Sequence, residues 1–140
     1  MKHLIASLCL GLLAGLCGCT GAHPARPVAR AGAATKITHA TPAEAEALVR
    51  AGRVTVLDLR TPGEFGQGHI ANARLVDFTA PDFAQQLAAL DRSKPYLVHC
   101  ASGGRSTKSL PVFEKLGVQS ITHLDGGLMA WREAGKPVEK

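Results

Sequence analysis

The stretch Pro95–Arg105 limits what this chain can fold into, because it joins a strand to a helix through a short glycine-rich loop. The apolar run Pro95–Val98 predicts a buried strand, and Ser106–Leu116 predicts a helix. Cys100 falls in the connection, where backbone N–H groups and the start of a helix favour the thiolate over the thiol. The pattern predicts a strand–loop–helix unit that carries a nucleophile aimed at an anionic substrate.

The loop supplies the candidate site residues. Cys100 is the predicted nucleophile. Arg105 adds a fixed planar cation, which is expected either to orient an anionic substrate or to brace the loop through a carboxylate. The remaining loop residues are expected to surround the bound substrate: Ala101, Ser102, Gly103, Gly104 and Ser106.

The N-terminal segment predicts export and lipid anchoring. Residues 1–18 combine a short basic start with an apolar run of secretory length, too short to span a membrane comfortably. Leu16–Cys19 resembles the lipobox of bacterial lipoproteins, with Cys19 as the lipidated residue. Cys17 fits less well, because Leu16 would then stand where a small residue belongs. An ordinary cleaved signal and a helical anchor are the alternatives.

Lipidation at Cys19 would place the mature chain on the periplasmic face of a bacterial membrane. Thr20, standing where aspartate would favour the inner membrane, points to the outer one. Residues 19–35 are rich in alanine, proline, glycine and arginine, and predict a flexible tether before one folded domain at residues 36–140. Cys100 would then be the one free thiol in an oxidising compartment, which favours a reactive role.

Charge and aromatic content argue against a nucleic-acid partner. The net charge of +5 at pH 7 is modest and suits an anionic membrane surface. The chain has one Trp, one Tyr and four Phe, and no basic cluster is interleaved with them. His69 and His99 show no metal-ligand spacing, so neither a metal nor another cofactor is expected.

Strand and helix signals alternate along the domain. Strands are predicted at Ile37–Thr38, Val54–Leu59, Leu97–His99 and Ser120–Leu124, and helices at residues 41–50, 82–90, 106–116 and 128–134. This alternation predicts an α/β fold, a parallel sheet with helices on both faces. Ligands of such sheets bind beyond the carboxyl ends of the strands, where Asp58 and Cys100 are expected.

Four segments resemble the rhodanese-like, single-domain sulfurtransferases. They are Val56–Arg60 with Glu64-Phe65, Gly68–Ala73, the Cys100–Ser106 loop with its preceding strand, and Leu124–Trp131, in matching order over roughly residues 37–136. The resemblance implies a parallel five-stranded sheet wrapped by helices, and a cysteine that carries sulfane sulfur as a persulfide.

The resemblance also implies supporting roles near the loop for Asp58, Arg60 and Glu64. Structural roles are an alternative for all three residues. Asp58 could cap a turn or pair with an arginine. Arg60 and Glu64 are expected to form an ion pair that braces the turn after the second strand.

The expected reaction moves sulfane sulfur from an anionic donor such as thiosulfate to cyanide or a thiol, through a Cys100 persulfide. The protein tyrosine phosphatase signature is similar but separates cysteine from arginine by five residues, whereas four lie between Cys100 and Arg105. In rhodanese-like proteins the shorter loop accompanies sulfur transfer, and the longer one accompanies phosphatase or arsenate chemistry. A non-catalytic sulfur carrier or redox sensor is the second hypothesis, since Ala101 and Ser102 stand where many thiosulfate-using members have a cation.

Overall fold

The computed structural model describes residues 34–140. The strands are β1 (Lys36–Ala40), β2 (Thr55–Asp58), β3 (Arg74–Leu75), β4 (Pro95–His99) and β5 (Ser120–Leu124). The helices are α1 (Pro42–Arg50), α2 (Pro62–Gly66), α3 (Phe83–Ala88), α4 (Gly104–Leu116) and α5 (Gly127–Glu133). The predicted signal peptide, Cys19 and the tether up to residue 33 lie outside the described residues. Within residues 34–140, no helix is both long and apolar enough to cross a membrane.

The strands form one parallel sheet in the order β1-β5-β4-β2-β3, which confirms the predicted α/β architecture. β4 lies at the centre, between β5 and β2. Because parallel strands end at the same edge of a sheet, the carboxyl ends of these three central strands lie side by side. The loop that follows β4 therefore lies in the middle of that edge.

Each face of the sheet carries its own apolar layer, because successive strand residues point to opposite sides. Val98 packs in one layer with Phe113 of α4. Its neighbour Leu97 packs in the other layer with Trp131 of α5. Burying each of these side chains contributes roughly 1.5–3 kcal/mol. A slip of β4 by one residue would exchange the two layers, so this packing fixes the position of the residue that follows the strand.

Two helices begin with the same four-residue signature, and the sequence analysis missed the second. Thr41 and Thr61 each accept a hydrogen bond from the backbone N–H three residues later, while Glu44 and Glu64 bind back to the threonine N–H. In both helices a proline follows the threonine. The five-residue helix α2 was not predicted because it is too short to show an apolar period.

The helix after the loop begins two residues earlier than predicted, at Gly104 rather than Ser106. Gly103 precedes it with a φ of 99°, a left-handed conformation that glycine adopts without strain. Pro111 lies inside α4 without ending it. Since proline has no N–H, the carbonyl of Thr107 loses its partner within the helix.

Candidate active site

Cys100 lies directly after β4, at the floor of the loop, and is 1% exposed. Its Sγ accepts a hydrogen bond from the Gly103 backbone N–H at 3.2 Å. The Ser106 hydroxyl donates to the same sulfur over 3.6 Å. The loop leads directly into α4, so the N-terminal end of a 13-residue helix adds to the positive field around the sulfur.

This environment favours the thiolate. Burial by itself raises the pKa of Cys100, because it penalises the charged form. Hydrogen bonds from the backbone and hydroxyl of Ser106 and from the backbone of Gly103 and Ser102 outweigh burial, and the pKa of Cys100 lies below its ordinary value. A thiolate held by several donors in a shielded loop is suited to attack an electrophilic sulfur.

Arg105 is held by Glu64 in a two-pronged ion pair. Its two terminal nitrogens lie 2.8 and 2.6 Å from the two carboxylate oxygens of Glu64, the third residue of α2. The pKa of Arg105 is raised, first by this hydrogen bonding and also by the negative charge of Cys100. Arg105 therefore braces the loop against α2 and adds positive charge near the sulfur.

The ion pair between Arg105 and Glu64 predicts that Glu64→Gln lowers the stability of the fold by an amount that depends on pH. Arg105 is the main cause that lowers the pKa of Glu64 from 4.5 to about 2. The pair therefore stabilises the fold fully above pH 4.5, and this contribution disappears as the pH falls towards 2. Because the two side chains are 25% and 33% exposed, we expect Glu64→Gln to lower the free energy of unfolding by about 0.5–1 kcal/mol at pH 7.

Urea unfolding of wild type and Glu64→Gln at pH 7, 4.5 and 2.5 checks this prediction. The two proteins are expected to converge in stability towards the lowest pH. Glu133→Gln, which removes one carboxylate from the exposed surface of α5, corrects for the change in net charge. A difference between wild type and Glu64→Gln that stays constant across the three pH values would contradict the prediction.

Asp58 and Arg60 form a buried ion pair, which corrects the expected pairing of Arg60 with Glu64. Asp58 is 0% exposed and Arg60 is 3% exposed. Nη2 of Arg60 lies 2.6 Å from Asp58 Oδ2, and Nε donates to both Asp58 oxygens at 2.9 and 3.0 Å. Arg60 also donates to the backbone carbonyls of Glu64 and Gly68 at 2.9 Å each. The side chain of Glu64 is thereby left to Arg105. Arg60 therefore acts on the loop indirectly, by holding the backbone of Glu64, whose side chain binds Arg105.

His99 is placed away from the reactive sulfur. Its Nδ1 lies 3.2 Å from the backbone carbonyl oxygen of Cys100, and its Nε2 lies 3.7 Å from Asp58 Oδ2. Burial lowers the pKa of His99 and keeps the imidazole neutral. Since neither ring nitrogen is hydrogen-bonded to Sγ, His99 does not serve as the base for Cys100.

The start of α5 closes the loop from the other side. Leu128 N donates to the carbonyl of Cys100 and Met129 N to that of Ala101, both at 2.9 Å. The start of α5 can lie this close to the backbone of Cys100 and Ala101 only with glycine at position 127, where φ is +58°. A Cβ on Gly127 would lie 2.6 Å from the Cys100 carbonyl oxygen and 2.8 Å from that of Ala101. This contact explains the second glycine of the Leu124–Trp131 segment, for which the sequence analysis had no role.

Gly127→Ala is expected to displace the loop and to lower the free energy of unfolding by about 1–3 kcal/mol, because the added methyl group meets rigid backbone. Gly63→Ala is the matched control, since a Cβ there meets no atom within 4 Å. We expect the control to be neutral or more stable by about 0.4–1 kcal/mol. Thermal unfolding of both variants is the measurement, and equal losses would contradict this account.

Comparison with known proteins identifies the domain. Residues 41–134, which contain all four segments singled out in the sequence, match the family model of the rhodanese-like domain. The chain belongs to the rhodanese-like domain family. A crystal structure of a rhodanese-related protein from Thermoplasma volcanium matches with a TM-score of 0.66 and 31% identity, covering 73% of this chain and 97% of that one. The resemblance predicted from the sequence is confirmed.

Two curated relatives of this rhodanese-like domain have names that refer to sulfur transfer. Thiosulfate sulfurtransferase GlpE of Stutzerimonas stutzeri is 36% identical over 65% of this chain and 81% of its own length. The probable adenylyltransferase/sulfurtransferase MoeZ of Mycobacterium tuberculosis is 31% identical over 74% of this chain. The match spans only 27% of the length of MoeZ.

The rhodanese-like domain also brings together side chains that the sequence analysis did not single out. His39 of β1 and His123 of β5 are paired in register, and Asp125 directly follows β5. Nε2 of His123 lies 2.9 Å from the hydroxyl of Ser106. Within residues 34–140, the group that could hold a metal ion is His39, His123 and Asp125. The expectation of no metal was based on His69 and His99 alone. The sequence does contain a signal for the cluster, since a Thr-His pair stands near the end of both β1 and β5, Thr38-His39 and Thr122-His123.

Proposed function

We propose that this chain is a sulfurtransferase that carries sulfane sulfur on Cys100 as a persulfide. The observation that carries the proposal is the placement of the Cys100 sulfur in a ring of loop donors that lowers its pKa. Membership of the rhodanese-like domain family and the name of the Stutzerimonas relative support it. An anionic donor such as thiosulfate suits the positive field of the loop.

In the first half of the reaction, the Cys100 thiolate attacks the outer sulfur of thiosulfate. The sulfur–sulfur bond of the donor breaks, and sulfite leaves with the bonding electron pair. The product is a Cys100 persulfide, whose terminal sulfur carries the negative charge. The donors of the loop, among them the Gly103 N–H that points at Sγ, lie beside the new sulfur atom and are placed to stabilise this charge.

In the second half, the acceptor attacks the outer sulfur of the persulfide. With cyanide as acceptor, a carbon–sulfur bond forms, thiocyanate leaves, and the electron pair of the broken sulfur–sulfur bond returns to Cys100 as thiolate. A thiolate acceptor reacts in the same way and departs as a persulfide. The donors that lower the pKa of Cys100 also make its thiolate a good leaving group in this step.

The six-residue loop from Cys100 to Arg105 supports sulfur chemistry over phosphate chemistry. The N–H groups of a loop must surround the group that is transferred. A single sulfur atom bound to cysteine fits a smaller ring than a phosphate with its oxygens. Arylphosphates and arsenate are therefore expected to be poor substrates.

A sulfur carrier that serves a protein partner is the second candidate function. Arg105 is the charged residue of the Cys100–Ser106 loop, and Glu64 holds it in an ion pair. Its charge is thus partly neutralised, which weakens the attraction of the loop for free thiosulfate. A protein persulfide as donor would not depend on that attraction.

Intact mass of the purified chain, before and after incubation with thiosulfate, tests the proposed function. We expect a gain of roughly 32 Da, one sulfur atom, that cyanide or a thiol removes and that Cys100→Ser lacks. No gain with thiosulfate or any other sulfane donor would overturn sulfur transfer. Assays with arylphosphate and arsenate would then test the phosphatase and arsenate alternatives.

We also propose that Cys19 is lipidated and anchors the chain to the periplasmic face of a membrane, the outer membrane where the cell has one. The lipobox-like Leu16–Cys19 supports this proposal. In a bacterial host, the chain is expected to partition into the detergent phase of a detergent–water extraction, and Cys19→Ser into the aqueous phase. Cys17→Ser is the matched control and should behave as wild type. Aqueous partitioning of wild type would contradict lipid anchoring.

A further inference from the structure

Two histidines and one aspartate converge beside the active-site loop. His39 Nδ1 lies 2.8 Å and His123 Nδ1 lies 3.0 Å from the same Asp125 oxygen, Oδ1. The two imidazole rings meet edge to face, with their centroids 5.2 Å apart. All three candidate ligand atoms lie within 4.8 Å of one another. None of these residues belongs to the Cys100–Arg105 loop, so the proposed sulfur transfer does not account for the cluster.

We propose that His39, His123 and Asp125 bind a divalent transition-metal ion of the zinc class. Imidazole nitrogen and carboxylate oxygen are ligands that zinc takes at about 2.0–2.2 Å. A tetrahedral ion with such bonds needs ligand atoms about 3.3–3.5 Å apart. The two measured separations from Asp125 Oδ1 are a few tenths of an ångström shorter. A small outward movement of the side chains therefore makes room for the ion.

Two of the three ligand side chains are exposed to solvent, so an ion can reach them and they have room to move. The side chains of His39 and Asp125 are 58% and 55% exposed, whereas that of His123 is 4% exposed. His123 is thus the ligand held in place by its surroundings, and His39 and Asp125 are the ligands that can adjust to the ion from the solvent side. Three protein ligands leave the fourth tetrahedral position open to water.

The second ring nitrogen of His123 has the outer partner that a metal-bound histidine requires. When Nδ1 binds a metal, the proton of the neutral ring resides on Nε2, which must donate a hydrogen bond. Ser106 Oγ lies 2.9 Å from Nε2 and accepts it. The Ser106 hydroxyl hydrogen then remains available for Gly103 O, at 2.9 Å, or for Cys100 Sγ, at 3.6 Å. One hydroxyl group thereby connects the metal site with the reactive sulfur.

The charges around the site favour a cation. Asp125 supplies one negative charge. Glu44, in the first turn of α1, interacts electrostatically with Asp125 and contributes a second negative charge nearby.

Titration of the full chain with Zn²⁺, measured by calorimetry, tests the proposal. The chain carries no polyhistidine tag, and a chelator removes any bound metal before the titration. The titration uses a background in which Cys9, Cys17, Cys19 and Cys100 are all replaced by serine, so that no thiolate can bind the ion and the result does not depend on sulfur transfer. We expect one Zn²⁺ per chain. Ser106→Ala removes the nearer outer partner of His123 Nε2, at 2.9 Å against 3.4 Å for the Thr107 hydroxyl, together with the bond of Ser106 to Gly103 O. It leaves all three ligands in place and is expected to weaken binding roughly 10- to 100-fold.

His39→Ala and Asp125→Ala each remove one exposed ligand and are expected to lose more affinity than Ser106→Ala. His69→Asn is the matched control, a histidine outside the cluster, and should bind as the background does. Cobalt bound to the same cysteine-free background is expected to show ligand-field bands. Failure to bind Zn²⁺, or equal binding by the background, His39→Ala and Asp125→Ala, would overturn the proposal.

Discussion

Replacement of Cys100 by serine is expected to lower the rate of thiocyanate formation from thiosulfate and cyanide roughly 10⁴-fold or more. A serine hydroxyl is not ionised at neutral pH and cannot form a persulfide. Its oxygen can still accept the hydrogen bond from Gly103, so the fold is expected to persist. Steady-state rates, with thermal unfolding measured alongside, separate a loss of chemistry from a loss of structure.

The possible outcomes of this experiment distinguish the candidate functions. Undiminished turnover by Cys100→Ser would contradict covalent catalysis at this residue. A wild-type protein that forms the persulfide but turns over no faster than its serine variant would favour the sulfur carrier.

The donors around Cys100 give a second readout of the same site. Because the pKa of Cys100 is lowered, its alkylation by iodoacetamide should reach half of its maximal rate below the pH typical of a free thiol. Ser106→Ala removes one donor to the thiolate and is expected to move this midpoint upwards. Ser109→Ala is the matched control, a buried serine of α4 whose hydroxyl donates to a backbone carbonyl instead. Coincident midpoints for wild type and Ser106→Ala would contradict the role given to that hydroxyl.

The largest expected effect on stability comes from Arg60→Met. The substitution leaves the Asp58 carboxylate buried without its cation, and removes the donors to the carbonyls of Glu64 and Gly68. Breaking a buried pair in this way costs about 3–5 kcal/mol of the free energy of unfolding. Urea unfolding at neutral pH measures it. Arg60→Lys is also expected to be destabilised, because a single ammonium group cannot replace the planar fork.

A double variant separates the buried charge from the lost packing. Asp58→Asn combined with Arg60→Met leaves no unpaired charge, so it is expected to recover part of the stability that Arg60→Met alone loses. Additive losses from the two substitutions would contradict a coupled pair. The result also bears on the active site, since Arg60 holds the helix from which Glu64 reaches Arg105.

Local signals in the sequence were sufficient to predict the sheet and most of the helices. The β-branched run before Asp58, the capping signature at Thr41 and the glycine after Leu116 each depend on neighbours in the chain. α2 was not predicted although Thr61 begins it with the same capping signature. A helix of five residues is too short to show a repeat of apolar residues. The two-residue strand β3 was missed for the same reason.

Pairings between distant residues could not be read from the sequence. Arg60 has two carboxylates within four residues, Asp58 and Glu64, and both fit as partners in sequence. The choice depends on Arg105, which is far along the chain and removes Glu64 from the competition. The meeting of His39 with His123 likewise depends on the sheet order, which places the first strand beside the fifth.

That sheet order has a consequence for how the chain is made. β2 and β4 are neighbours and can pair once residue 99 has been synthesised, but β1 pairs only with β5 and waits for residues near the end of the chain. Because non-local contacts form only after the loop between them closes, we expect the β1–β5 pairing to follow the pairing of β2 with β4. If the chain is exported and lipid-anchored, as proposed above, it has to pass a translocation pore before it folds, and a sheet that stays incomplete until its last strand has emerged would suit that passage.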